Sequence, residues 1–199
     1  MDEIIIRGGE TLTGEVQVSG AKNAALPILF ATLLSPEASR VENVPNVADT
    51  RTSCRLLEEL GAEVAMDANM VSVAAAQITD YEANYDLVKT MRASFLAMGP
   101  LLARFGRARV ATPGGCAIGS RPVDQHLRGF EAMGATVEMA QGYVEVRCDR
   151  LQGTEIRMDV PSVGATENLM MAACLAAGTT ILDNVAREPE IVDLACALR

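Results

Sequence analysis

Residues 21–34 read AKNAALPILFATLL, residues 92–105 read RASFLAMGPLLARF and residues 165–177 read ATENLMMAACLAA. All three are rich in Ala, Leu and Met and apolar around most of their circumference, as buried helices are. Pro27 and Pro100 fall inside or near the first turns of two of them and are expected to shift their starts. A stretch of alternating apolar and polar residues follows each helix, at 40–44, 109–112 and 180–185, and reads as a strand. Val41, Val110 and Ile181 in these strands lie 69 and 71 residues apart.

The period continues outward from the helices. Second helices are expected over 49–60 and 124–133, each followed by a Gly-Ala pair, Gly61-Ala62 and Gly134-Ala135, in which the glycine serves as the C′ cap. Strand pairs follow at 63–65 with 70–73 and at 136–139 with 143–146, turning at Asn69 and at Gln141-Gly142. The unit is therefore helix–strand–helix–strand–strand, about 70 residues long and complete twice. A third copy runs through residues 188–195 and lacks the Gly-Ala cap and the hairpin, so it reads as truncated by roughly 20–30 residues, leaving an exposed edge. The expected class is α/β (α+β), built of three repeats at about 21–84, 85–150 and 151–199.

Composition narrows the function classes. The 199 residues are 49% hydrophobic but only 4% aromatic, with no Trp, so the core rests on aliphatic side chains and ten Met. The formal net charge is −9, and the only lysines are Lys22 and Lys89, which argues against nucleic acid and anionic membrane surfaces as partners. An anionic ligand must then be held by a few placed cations. The five cysteines are widely spaced without a C-x-x-C pair, which argues against a zinc site and against a disulfide framework. No basic n-region precedes an apolar run at the N-terminus, and no apolar run approaches ~18 residues. A cytoplasmic protein with reduced thiols and no metal or cofactor is expected.

Each unit places a small-residue turn ahead of its first helix, at 18–23, 89–94 and 162–166. Serine and threonine there can cap backbone N–H groups. Packed about a pseudo-threefold, the helix N-termini would converge into an anion site, with Lys22 and Arg92 adding charge. Ordinary capping with solvated cations is the alternative. The loop PGGCAIGSRPVD (113–124) places Cys116 five residues from Arg121, whose field favours the thiolate, so the thiol could act as nucleophile or acid. Cys54, Cys174 and Cys196 fall on helical patterns, and Cys148 at a strand end, as packing residues. His126, the only histidine, has no orienting partner for a Cys–His hydrolase pair and reads as a surface residue or one that binds a ligand. Asp49, Asp124 and Asp193 recur at matching places and read as N-caps of the second helices.

Together SGAKNAALPI (19–28), YDLVKTMRAS (85–94), PGGCAIGSRPVD (113–124), SVGATEN (162–168) and AREPEIVD (186–193) closely resemble the UDP-N-acetylglucosamine 1-carboxyvinyltransferase family, over about the first half of its length. The resemblance implies an enolpyruvyl transferase fold, in which an inverse α/β barrel lobe of three units faces a second lobe of the same polypeptide. Residues 1–20 would be a strand and hinge segment belonging to that other lobe, and 21–199 the substrate-binding lobe. It implies transfer of the enolpyruvyl group of phosphoenolpyruvate to the 3′-hydroxyl of UDP-N-acetylglucosamine with release of phosphate. That is the first committed step of peptidoglycan synthesis, and so of cell-wall biogenesis. By the same resemblance Cys116 protonates the methylene carbon and is the thiol that fosfomycin alkylates. Lys22 and Arg121 hold the phosphate beside Asn23. Arg92, Pro122, Val123, Asp124, Gln125, His126, Ser162, Val163 and Gly164 line the nucleotide-sugar site. Val160 stands where some members are basic, and Gln125 where a hydrophobic residue is common. The general base and further arginines would come from the second lobe, so the chain alone is expected to be inactive. The related shikimate-pathway transferase lacks the PGGC loop, a silent binding module would not need Cys116, Lys22 and Arg121, and an RNA-end-processing enzyme fits poorly with the acidic charge.

Overall fold

The computed structural model describes residues 3–9, 11–88, 91–111 and 123–199. In the first unit, helix α1 (Lys22–Ala31) runs into a 3-10 turn (Thr32–Leu34), followed by β1 (Ala38–Val41), α2 (Ala48–Glu59), β2 (Glu63–Asp67) and β3 (Met70–Ala74). Two short elements, β4 (Glu82–Ala83) and α3 (Tyr85–Val88), lead into the second unit. There a 3-10 segment (Arg92–Ala97) opens α4 (Met98–Phe105), followed by β5 (Arg107–Ala111), α5 (Asp124–Ala132), β6 (Thr136–Ala140) and β7 (Tyr143–Arg147). The third unit has β8 (Glu155–Arg157), α6 (Val163–Ala173), β9 (Ile181–Asp183) and α7 (Pro189–Ala197).

The two complete units match in detail. Both second helices end in a Schellman motif: the Ala62 N–H donates to the Leu57 carbonyl and Gly61 to Glu58, just as Ala135 donates to Phe130 and Gly134 to Glu131. Gly61 and Gly134 take φ of +104° and +94°, where a β-carbon is strained. Antiparallel ladders repeat the same rows, with Val41 and Met66 flanking Val71 in the first and Val110 and Met139 flanking Val144 in the second.

Several expectations are corrected. Pro27 lies inside α1 without moving its start, which remains at Lys22. Pro100 has the larger effect: lacking an N–H for the Leu96 carbonyl, it sits where the 3-10 segment gives way to α-helix. The first and third strands end early because Asn43 and Asn184, at φ of +57° and +55°, turn the chain out of the ladder. In the first hairpin Ala68, not Asn69, carries the left-handed backbone. Asp49 lies within the first turn of α2 and Asp124 at the first position of α5, while Asp193 is mid-helix in α7, so none is an N-cap. The parallel partners β4 and β8 were too short to read from alternation.

Among the described residues the strands form three separate sheets, ordered β1-β3-β2, β4-β5-β7-β6 and β8-β9, and no closed barrel. The first helices of the three units meet instead at the centre: α4 packs on α6, the Arg92–Ala97 segment packs on both α1 and α6, and α1 also touches α6. Glycines permit the close approach. A β-carbon on Gly99 would lie 2.4 Å from the Asn168 backbone oxygen, and one on Gly129 2.4 Å from Leu169 Cδ1. One continuous core, including Leu29, Phe30, Leu57, Met98, Leu101, Phe130, Met133 and Leu169, spans all three units. Residues 3–9 and 11–20 form no helix or strand and expose Ile4, Ile5, Ile6, Leu12, Val16 and Val18. No helix among the described residues is long and apolar enough to cross a membrane.

Candidate active site

The turn before α1 is fixed by backbone crowding. The Gly20 N–H donates to Asn43 Oδ1 at 3.1 Å, and a β-carbon on Gly20 would fall 1.8 Å from the Asn43 carbonyl oxygen. That contact explains the glycine in SGAKN and aims the head of α1. Among the described residues no side chain caps this helix, whose first N–H groups lie beside the exposed Lys22 and Asn23. Lys22 Nζ is 2.7 Å from Asp49 Oδ2 in the first turn of α2, a half-exposed ion pair.

The heads of α5 and α6 form a second cluster. Ser162 caps α6: its Oγ accepts the Ala165 N–H at 3.3 Å, and its carbonyl accepts the Thr166 N–H and hydroxyl. Val163 and Gly164 begin the helix with N–H groups that no side chain among the described residues caps, at the positive end of its dipole. Gln125 on α5 exchanges two hydrogen bonds with Asp159, donating to its carboxylate at 3.3 Å and accepting its N–H at 3.2 Å. Arg128 pairs with the same carboxylate. This clasp ties α5 to the strand-to-helix turn that carries Ser162, and it leaves Val160 exposed. Asp124 is exposed at the start of α5.

His126 is not at the surface: it is 8% exposed, edge-on to Phe95 with ring centroids 5.0 Å apart. Its Nδ1 lies 3.0 Å from Asn168 Nδ2. The opposite edge of the ring faces α6, since a β-carbon on Gly164 would meet Cε1 at 3.4 Å and Nε2 at 3.6 Å. Burial pushes the ring pKa down to about 4, partly opposed by Asp124, so the imidazole is neutral at pH 7.

The structure thus brings Gln125 and His126 together with the Ser162–Gly164 turn, and Lys22 together with Asp49. It describes the Arg92 backbone at the start of the 3-10 segment, where α1 and α6 meet; Val123 precedes α5. Cys116, Arg121 and Pro122 lie outside the described residues. Of the remaining thiols, Cys54 is buried as a packing residue, with its pKa raised by burial and by Glu58, whereas Cys174 and Cys196 are exposed, contrary to the packing reading. Sequence reasoning missed Asn168 and Glu167. An amide and a carboxyl in an otherwise apolar buried helix were the available signals. Both are buried, and Glu167 has its pKa pushed up to about 8 by burial and then by Glu190 and Glu188.

Comparison with known proteins follows the same line. A family model described as EPSP synthase (3-phosphoshikimate 1-carboxyvinyltransferase) matches residues 6–199. The chain is 60% identical over 195 residues to a UDP-N-acetylglucosamine 1-carboxyvinyltransferase of Desulfatibacillum aliphaticivorans, covering 98% of this chain and 47% of that protein. A protein of the same name from Geobacter metallireducens is 55% identical over 195 residues, with the same coverage of 98% and 47%. The chain spans about half the length of the curated relatives it matches. Among solved structures, the enolpyruvyl transferase NikO from Streptomyces tendae superposes with a TM-score of 0.83 at 25% identity, over 96% of this chain and 45% of that one. EPSP synthase from Acinetobacter baumannii shares the fold at a TM-score of 0.73 and 15% identity, over 90% of this chain and 42% of that one.

Proposed function

The chain belongs to the EPSP synthase (3-phosphoshikimate 1-carboxyvinyltransferase) family, and on that premise we propose that it is the N-terminal, substrate-binding lobe of a UDP-N-acetylglucosamine 1-carboxyvinyltransferase. The observation that carries the reading is the match to relatives of that name along almost the whole chain. Those relatives favour the nucleotide sugar over the 3-phosphoshikimate in the family description.

In this reading the 3′-oxygen of UDP-N-acetylglucosamine adds to C2 of phosphoenolpyruvate while C3 gains a proton. The tetrahedral intermediate then loses phosphate from C2 and a proton from C3, restoring the C2–C3 double bond and leaving the sugar oxygen in an enol ether. Cys116 delivers the proton to C3; Lys22 and Arg121 hold the phosphate, with Asn23 alongside. Lys22 is paired with Asp49, and the incoming phosphate competes with that carboxylate for it. Arg92 and residues 122–126 and 162–164 hold the nucleotide sugar. The open N–H groups at the head of α6 suit diphosphate oxygens because they supply donors and dipole without a mobile counter-charge. Residues 1–20 act as strand and hinge toward the second lobe, which supplies the general base; their exposed aliphatic side chains support that role. The reaction is cytoplasmic, feeds peptidoglycan synthesis and is open to fosfomycin at Cys116.

Titrating the isotope-labelled chain with UDP-N-acetylglucosamine tests the reading. Amide shifts are expected at Gln125, His126 and Ser162 through Gly164, and none around Arg107 and Arg147. No shifts, or shifts confined to the latter region, would refute it.

A further inference from the structure

We propose that Asn168 is the positioning residue of the nucleotide-sugar site: its amide bridges the second and third units and fixes which nitrogen of His126 carries the proton. Asn168 Oδ1 accepts the Gly99 N–H at 2.7 Å, which sets the orientation of the amide. Nδ2 must then face the Phe95 carbonyl and His126 Nδ1, both at 3.0 Å. Its two hydrogens serve one acceptor each, so Nδ1 of His126 accepts and the neutral ring carries its proton on Nε2. No other described group bonds to Nε2, and that edge faces Gly164 in the first turn of α6.

The consequence is a neutral donor beside the open N–H groups of Val163 and Gly164. An Nε2–H favours an anionic diphosphate oxygen, whereas the other tautomer would present a lone pair and repel it. Protonating the ring would place an Nδ1–H against the amide hydrogens of Asn168. The site therefore keeps its donor through the neutral range without a titrating charge. Asn168 touches no ligand in this arrangement; it acts through His126. The Gly99 contact explains why the amide can reach so far, since a β-carbon there would lie 2.4 Å from Asn168 Oδ1.

This inference rests on the nucleotide-sugar reading for its ligand, though not for its geometry, and the two fail separately in one experiment. His126 is the only histidine, so its ring nitrogens give an unambiguous spectrum in the 15N-labelled chain. The unsubstituted chain is expected to show the Nε2–H tautomer at pH 7. Asn168→Asp, nearly isosteric, offers Nδ1 an acceptor and should move the proton there. It should also weaken UDP-N-acetylglucosamine about tenfold or more. In a His126→Ala background the same substitution should change affinity little. An Nδ1–H tautomer in the unsubstituted chain, an unaltered tautomer in Asn168→Asp, or an equal loss of affinity in the His126→Ala background would overturn the assignment. Failure of the unsubstituted chain to bind UDP-N-acetylglucosamine, with the tautomer as expected, would overturn the functional reading alone.

Discussion

Asn43 and Asn184 occupy matching places in two units and share a left-handed backbone, and each is bonded to the turn region ahead of its unit's first helix. Asparagine tolerates that conformation better than most residues. Gly20 completes the arrangement in the first unit, where any β-carbon collides with Asn43. Gly20→Ala should therefore destabilise the chain by about 1–3 kcal/mol and displace the head of α1. Urea unfolding checks the first effect, and the amide shifts of Lys22 and Asn23 the second. The thiols provide another test at this scale. Cys54 is buried with a raised pKa, so timed alkylation read by mass spectrometry should label it slowest, well after Cys174 and Cys196. Cys116 should react first if Arg121 and Lys22 favour its thiolate; labelling of Cys148 ahead of Cys116 would count against its assigned role.

At the scale of elements, α6 packs against both α4 and α5 and bears polar groups on a buried face. Glu167 and His126 make opposite contributions to the pH dependence of stability. Glu167 rises from 4.5 to about 8 in the fold, so between those values the folded chain keeps a proton that the unfolded chain has lost. Stability from this group falls as pH rises through that window. His126 drops from 6.5 to about 4, so between pH 4 and 6.5 the unfolded chain holds the extra proton and stability rises with pH. The two oppose each other up to pH 6.5; above it Glu167 acts alone, by at most about 1.4 kcal/mol per pH unit. Chemical unfolding at pH 6.5 and 8 should show that decline, and Glu167→Gln should abolish it. A flat profile in the unsubstituted chain would refute the buried-carboxyl account.

The longer helices, both hairpins and their glycine caps were legible in the sequence because apolar periodicity and turn chemistry are local, whereas the four-residue α3 and the 3-10 opening of α4 were not. The two-residue β4 and three-residue β8 were not, since alternation cannot register over so few positions. Nor could the burial of His126 be read, because it depends on Phe95 and Asn168, which lie 31 and 42 residues away in sequence and meet it only through the packing of α4, α5 and α6. Of the candidate site, the motifs supplied the residues that the resemblance implies; the Lys22–Asp49 pair and the Gln125–Asp159 clasp needed the tertiary structure.

The molecule has one apolar core shared by its three units, and the buried amide of Asn168 bonds across it to Gly99, Phe95 and His126. It should unfold in a single calorimetric transition, and two resolved transitions would show that the units are independent. The wider claim is that this lobe supplies the acid, the phosphate cations and the nucleotide-sugar site to a reaction completed by a second lobe. Grafting this chain in place of the matching residues of the Desulfatibacillum aliphaticivorans protein, and measuring phosphate release, addresses it. Release is expected only when phosphoenolpyruvate and UDP-N-acetylglucosamine are both present, and it should vanish near neutral pH with Cys116→Ser, while the chain alone gives none. Equal release with shikimate 3-phosphate in place of the nucleotide sugar, or undiminished release by Cys116→Ser, would contradict it.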